Sequence, residues 1–559
     1  MVRKKLLGLA AGAAMALVGA SVSLAQQTVA PAAPSAAVKS PLKGSWGPAP
    51  ARNSSESVGP FRKLVIRGAT LIDGSGGPPM GPIDIVIEGN RIVAVNQAGW
   101  PGLPMKADRE PRDADYEIDA HGMYVMPGFI DCHVHGAGTD KAPDLGYNYK
   151  LWLAHGVTTV RGVPLASPEM ASSEKNRSAR NEIAAPRIFN YQTLGAGWSG
   201  GTVDTVEKAR AWVQWAAKNN IDGIKFFNRP NETPEITSAA IDEAHKHNMG
   251  TVAHLSQNGV ANFNARQAGE AGLDTVTHFY GHFESLLKDA TIQKFRSDYD
   301  YNNEQDRFGS VADLFDQSYE PGSPQWIAYL AEQKANHVNF DPTFNIYAAS
   351  RDLMRARNAD WHSVYTTPEL WDYFQSTRDN HGSYFYDWTT DDEVRWKNFY
   401  KKFMTLINDY KNMGGHVTIG TDSGFIWKLY GFAYIEELEL FREAGFTPLE
   451  VIRTATKNGA ETLWSPKHEA PPVGIVRPGM LADLVIAPEN PLANLKTLYG
   501  SGFLRLNPKT NKVERVGGVK YTIKDGIVYD AHRLLQEVAE TVSSEKKRMG
   551  RPDGLPVQP

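Results

Sequence analysis

Cysteine is almost missing from this chain: Cys132 is the only one in 559 residues. No disulfide can form within the chain, and no cysteine stands near the N-terminus to carry a lipid. An excess of one charge is missing too, since 59 Lys and Arg against 63 Asp and Glu leave a net −4. No Lys/Arg block stands out, so the electrostatic footprint of a nucleic-acid or anionic-membrane binder is absent, and a small molecule is the expected partner. Beyond the N-terminal segment no uncharged apolar run reaches the ~20 residues of a membrane-spanning helix, and no internal repeat is evident.

What is there begins with Arg3, Lys4 and Lys5 ahead of an apolar stretch from Leu6 to Ala20, followed by Ser23-Leu24-Ala25, a small-x-small cleavage site. This predicts a signal peptide over 1–25 and a periplasmic or secreted bacterial protein without membrane attachment after cleavage. Residues 26–60, rich in Ala, Pro and Ser without periodicity, read as a flexible tether. Short alternating runs between Leu64 and Val95 read as an antiparallel sheet, and matching strands recur at Leu484–Ile486, Val519–Ile523 and Ile527–Tyr529. The prediction is a small β-sandwich domain formed by both chain ends, 61–125 and 465–535, with a tail at 536–559.

Between them, 126–464 alternates apolar strands with helical stretches, the pattern of parallel βα units. Candidate strands are the lead-in to His133, then 157–160, 187–189, 223–227, 251–254, 275–278, 338–340 and 417–422. Eight such strands predict an α/β chain whose core is a TIM-like (β/α)8 barrel, with its chemistry at the strand C-termini. Thr447-Pro448-Leu449-Glu450 is a helix start with a capping box.

His133 and His135 end the first strand of that series, in Val125-Met-Pro-Gly-Phe-Ile-Asp-Cys-His-Val-His-Gly136. On a strand, positions i and i+2 share a face about 6.5 Å apart, so both rings can converge on one metal ion. The same alternation places Cys132 outward, as a packing residue. Lys225, His254, His278 and Asp422 fall at the ends of later strands. An isolated strand-end lysine ordinarily extends its stem past the sheet to water. Carboxylated by carbon dioxide, it becomes instead an anionic carbamate able to bridge metals. The loop Leu194–Gly201 offers Trp198 to a pocket, and Tyr280 and His282 follow the sixth strand within reach of a substrate carboxylate or oxyanion. The stretch from about 285 to 411 is aromatic-rich and longer than a βα unit needs. It reads as an insertion, either packing and oligomer contact or a lid over the barrel mouth.

The pieces Pro127–His135, Gly156–Arg161, Asp222–Lys225, His254, Asp274–His278, Gly420–Asp422 and Gly474–Leu484 resemble, in order, those of the metal-dependent amidohydrolase superfamily. Within it the chain looks like the secreted branch near the Xaa-Pro dipeptidases and N-acyl amino acid hydrolases. The resemblance implies a pair of divalent ions, zinc by preference. His133, His135 and Asp422 would hold the more buried one, His254 and His278 the other, and the Lys225 carbamate would bridge them. It also implies a homo-oligomer. Deaminases of the superfamily typically place a glutamate proton shuttle three residues after the fifth-strand histidine; here Gln257 stands there and cannot transfer that proton.

The expected function is hydrolysis of an amide or peptide bond in an N-acyl amino acid or dipeptide-like substrate. A metal-bridging hydroxide would attack the carbonyl, and Asp422 would carry its proton to the leaving amine. An esterase or lactonase could use the same centre, and a periplasmic binding protein that had lost catalysis is the alternative outside enzymes.

Overall fold

The computed structural model describes residues 47–100, 103–104, 111–136, 138, 141–288, 294–377, 381–382 and 387–552. The expected signal peptide and most of the tether lie outside the described residues, as do Tyr384, Phe385 and Tyr386 of the aromatic stretch.

The barrel is built from eight parallel strands: β1 (Phe129–Val134), β2 (Val157–Gly162), β3 (Arg187–Thr193), β4 (Gly223–Phe226), β5 (Gly250–His254), β6 (Thr275–Thr277), β7 (Asn339–Asp341) and β8 (His416–Val417). They pair in sequence order. The ring closes by backbone hydrogen bonds between β1 and the chain just past β8. Cys132 N–H donates to the Ile419 carbonyl at 2.8 Å, and Asp422 N–H to the His133 carbonyl at 2.8 Å. Every residue of β1 and β2 is buried, as strands covered on both faces require. Helices return the chain between strands, and several start on Thr or Ser caps followed by proline, as at Thr233-Pro234 and Ser323-Pro324. The expected capping box is present: Glu450 N–H donates to Thr447 Oγ1 and Thr447 N–H to the Glu450 carboxylate.

The two chain ends interleave in one mixed sheet of nine strands. Leu484–Ala487 pairs antiparallel with Tyr124–Pro127 on one side and with Tyr521–Lys524 on the other. Ile66 and Ile85 from the front of the chain share an apolar cluster with Leu484 and Ile523 from the back. The segment read as a tail is instead helical over Ala531–Arg548. It packs on the helix Leu145–Ala154, with Lys150 Nζ 2.8 Å from Glu537.

The aromatic stretch is two excursions around barrel elements. One lies between β6 and the helix Pro324–Ala335, the other between β7 and the helix Thr390–Asn412. Trp396, Phe399 and Tyr400 on that last helix are fully buried in the main core, whereas Tyr301, Phe308 and Tyr347 reach the barrel mouth. Part of the stretch is thus core packing, and part lines the cavity.

Strict alternation fails at Cys132. Asp131 pairs with Val160 and Val134 with Gly162, a register irregularity that leaves an extra residue in β1. Such a bulge turns two successive side chains to one face. Cys132 joins Tyr191, Val252 and Ala460 in the cluster inside the barrel, not the helix layer outside it. It remains a packing residue, and burial pushes its thiol far above the ordinary range.

Candidate metal centre

The site residues come from strand ends and the chain just past them, where the barrel brings five distant parts of the sequence to one mouth. His133, His135, Lys225, His254, His278 and Asp422 all line one cavity of about 420 Å³. Lys225 Nζ lies 3.5 Å from His133 Nε2. Asp422 stands among three imidazoles, with Oδ1 3.3 Å from His135 Nε2 and 3.8 Å from His133 Nε2, and Oδ2 3.7 Å from His278 Nε2. The His254 and His278 rings are 4.6 Å apart. His278 and Asp422 adopt left-handed backbone angles, φ 67° and 51°, a conformation costly for L-residues and concentrated at functional sites.

These separations lie at or beyond the long end of hydrogen bonding and are close to what ligands of a common ion show, since donor atoms ~2.0 Å from a tetrahedral zinc lie ~3.3 Å from one another. The ligand atoms of His133, His278 and Asp422 lie within 4.8 Å of one another. Two of the nitrogens facing away from the centre are held in place. His135 Nδ1 is 3.1 Å from the Pro164 carbonyl, and His278 Nδ1 is 2.6 Å from Thr343 Oγ1, contacts that orient a metal-binding imidazole.

The electrostatics suit cation binding. Burial, and then the nearby Lys225 charge, hold His133 and His254 well below the usual imidazole range; for His278 burial and then His254 do the same. Neutral imidazole is the ligand form. Burial pushes the Lys225 ammonium down to about 7, partly opposed by the Asp422 carboxylate.

The other predicted contacts fare differently. Trp198 is half-buried against the main core and does not line the cavity. Tyr280 is fully buried and stacks on the His254 ring at 4.7 Å, backing a site histidine. His282 does not reach the mouth: it lies 4.2 Å from the Phe340 ring with Nδ1 2.6 Å from Tyr329 Oη, and burial drives its pKa down to about 3. Gln257 also stays out of the cavity, its amide donating to the Arg307 carbonyl at 3.2 Å.

Sequence reasoning missed the support beneath the centre. Arg161, fully buried, donates from Nε to the Cys132 carbonyl at 2.6 Å, from Nη1 to Thr275 Oγ1 at 3.2 Å and from Nη2 to Asp341 at 3.1 Å. Gly420 must be glycine, because a Cβ there would abut the Asp341 carboxylate and lie 2.6 Å from His133 Cβ. It missed Arg229, Arg307, Glu304 and His381 in the cavity wall as well. The one available signal was for Arg229, which closely follows the β4 strand end.

Imidazoles, a lysine and an aspartate converge at the C-terminal mouth of a (β/α)8 barrel, a donor set suited to divalent metal ions. The chain belongs to the amidohydrolase family, whose pattern its residues 124–294 and 362–528 match. It is 44% identical over 133 residues to an N-acyl-D-aspartate deacylase of Alcaligenes xylosoxydans xylosoxydans, covering 23% of this chain and 24% of that protein. Matches to curated relatives such as this one span about a quarter to a half of the relative's length. Its fold is similar to that of a putative prolidase from Bifidobacterium longum (TM-score 0.55, 21% identity, 86% of this chain and 100% of that one). It is also similar to a Xaa-Pro dipeptidase with bound methionine (TM-score 0.53, 19% identity, 84% and 100%).

Proposed function

We propose that this protein is a binuclear zinc hydrolase of a linear amide bond, acting on an N-acyl amino acid or dipeptide-like substrate. The observation that carries the reading is the placement of the Lys225 amine in the same cavity as four histidines and Asp422. A carbamate on that lysine would add a bridging anion, with His133, His135 and Asp422 around one ion and His254 and His278 around the other. Bound metal would supply Lewis acidity toward the carbonyl and water of lowered pKa. Asp422, held at the mouth between His135 and His278, is placed to take the proton of the attacking water and return it to the leaving amine. The deacylase relative supports a linear amide over a ring, and the lack of a shuttle glutamate at Gln257 speaks against deamination. The N-terminal sequence supports a periplasmic or secreted location, and the family likeness a homo-oligomer.

The test combines metal analysis with turnover of matched amides and esters. The reading requires about two divalent ions per chain and a fall in activity of at least ~10³-fold in Lys225→Ala. One ion with full activity in Lys225→Ala refutes it, and turnover of esters alone assigns the centre to an esterase or lactonase.

A further inference from the structure

Beyond the metal-binding set, the charged groups of the cavity wall are Arg229, Arg307, Glu304 and His381. Three of these engage one another. Glu304 Oε1 is 3.6 Å from Arg307 Nη1, and Oε2 is 2.9 Å from His381 Nδ1. The Arg307 guanidinium also lies over the Tyr301 and Phe308 rings, at 4.9 and 5.0 Å. Arg229 is different. It is exposed to the cavity, its guanidinium rests 5.1 Å from the Phe227 ring, and no carboxylate among the described residues forms an ion pair with it. Glu232, its neighbour, turns Oε2 to the backbone N–H groups of Phe227 and Arg229, at 2.9 and 3.3 Å. Lys225 Nζ lies 5.3 Å from the same Phe227 ring, so the guanidinium and the Lys225 amine approach one aromatic ring.

We propose that Arg229 receives the free carboxylate of the substrate, and that the cavity selects N-acyl amino acids over dipeptides with a free amino terminus. This deepens, and rests on, the amide-hydrolase reading above. A guanidinium fork binds a carboxylate through two parallel charge-assisted hydrogen bonds, and here it needs no rearrangement of an existing ion pair. A substrate ammonium meets the opposite situation. Among the described lining residues the acids are Glu304 and Asp422; the first is occupied by Arg307 and His381, the second by the histidine cluster. An uncharged acyl group instead meets Phe308, Ile346, Tyr347 and Phe425 among the lining residues, where it removes apolar surface from water.

Calorimetric binding to the full-length, zinc-supplemented protein tests this without relying on turnover. The probes are racemic N-acetylphenylalanine, its primary amide, and glycyl-phenylalanine. The acid should bind at least about tenfold tighter than either comparator, the difference one charge-assisted pair supplies. Arg229→Met should bring acid and amide to near parity, and Arg229→Lys should keep part of the preference. The carboxylate assignment is overturned by equal binding of acid and amide to the wild type, by an undiminished preference in Arg229→Met, or by no detectable binding of the acid. Glycyl-phenylalanine binding as tightly as the N-acetyl acid overturns the selection against a free amine. A protein that shows this selectivity and hydrolyses none of the three refutes the proposed function and leaves the assignment of Arg229 standing.

Discussion

The mouth and the floor of the barrel are both polar, yet they are built on opposite principles. On the floor, Arg161 directs its donors to Cys132, Thr275 and Asp341 at 2.6 to 3.2 Å. At the mouth, His133, His135 and His278 surround Asp422 at 3.3 to 3.8 Å, and Lys225 approaches His133 at 3.5 Å. Groups drawn to hydrogen-bond length complete one another. Groups gathered around a common point at longer separations leave room for something placed between them. That difference separates a structural polar cluster from a binding one within a single barrel, where charge or burial alone would not.

The contrast can be broken first on the floor. Arg161→Met leaves Asp341 as an uncompensated buried carboxylate, a change that costs about 3–5 kcal/mol. Chemical denaturation should register that loss, and adding Asp341→Asn should recover much of it. A stable Arg161→Met single variant would show that the floor pair is dispensable. At the mouth, Thr343→Val removes the oxygen 2.6 Å from His278 Nδ1. It should lower metal affinity by about 10–100-fold, as loss of such outer partners does, while the unfolding midpoint of metal-free protein stays nearly unchanged. Equal metal affinity would place Thr343 outside the site's support. A third test concerns His282, whose pKa burial lowers from 6.5 to about 3. Its unfolded form binds a proton that the folded form does not between those values, so its contribution is fully present above about 6.5 and is lost as pH falls toward about 3. Denaturation of wild type and His282→Phe across that window should show a shallower acid decline in the variant, and parallel profiles would contradict the assignment.

Much of the fold was legible because its signals are local. All eight barrel strands were marked by short apolar runs with β-branched residues, and the capping box at Thr447 by four consecutive residues. The six metal-centre candidates could be named because each ends a strand, and parallel strands present their ends at one face. Reading failed where the outcome depended on partners far along the chain. His278 and His282 stand four residues apart in the same segment. One turns into the mouth through a left-handed backbone angle, and the other meets Tyr329 in the helix layer. Nothing between residues 278 and 282 announces that divergence. Cys132 was misplaced because alternation assumes a regular strand, whereas pairing with β2 forces a bulge into β1.

By itself, then, the sequence determined the strand-and-helix order, the barrel it implies and the residue types delivered to its mouth, since period-2 patterning, caps and strand ends act over a few residues. Tertiary structure alone decided which polar groups are satisfied. Arg161 meets Asp341 and His278 meets Thr343 only once the ring has closed. Hydrogen bonds and ion pairs act over a few ångströms, and between residues this far apart in the chain only the closed barrel sets that distance.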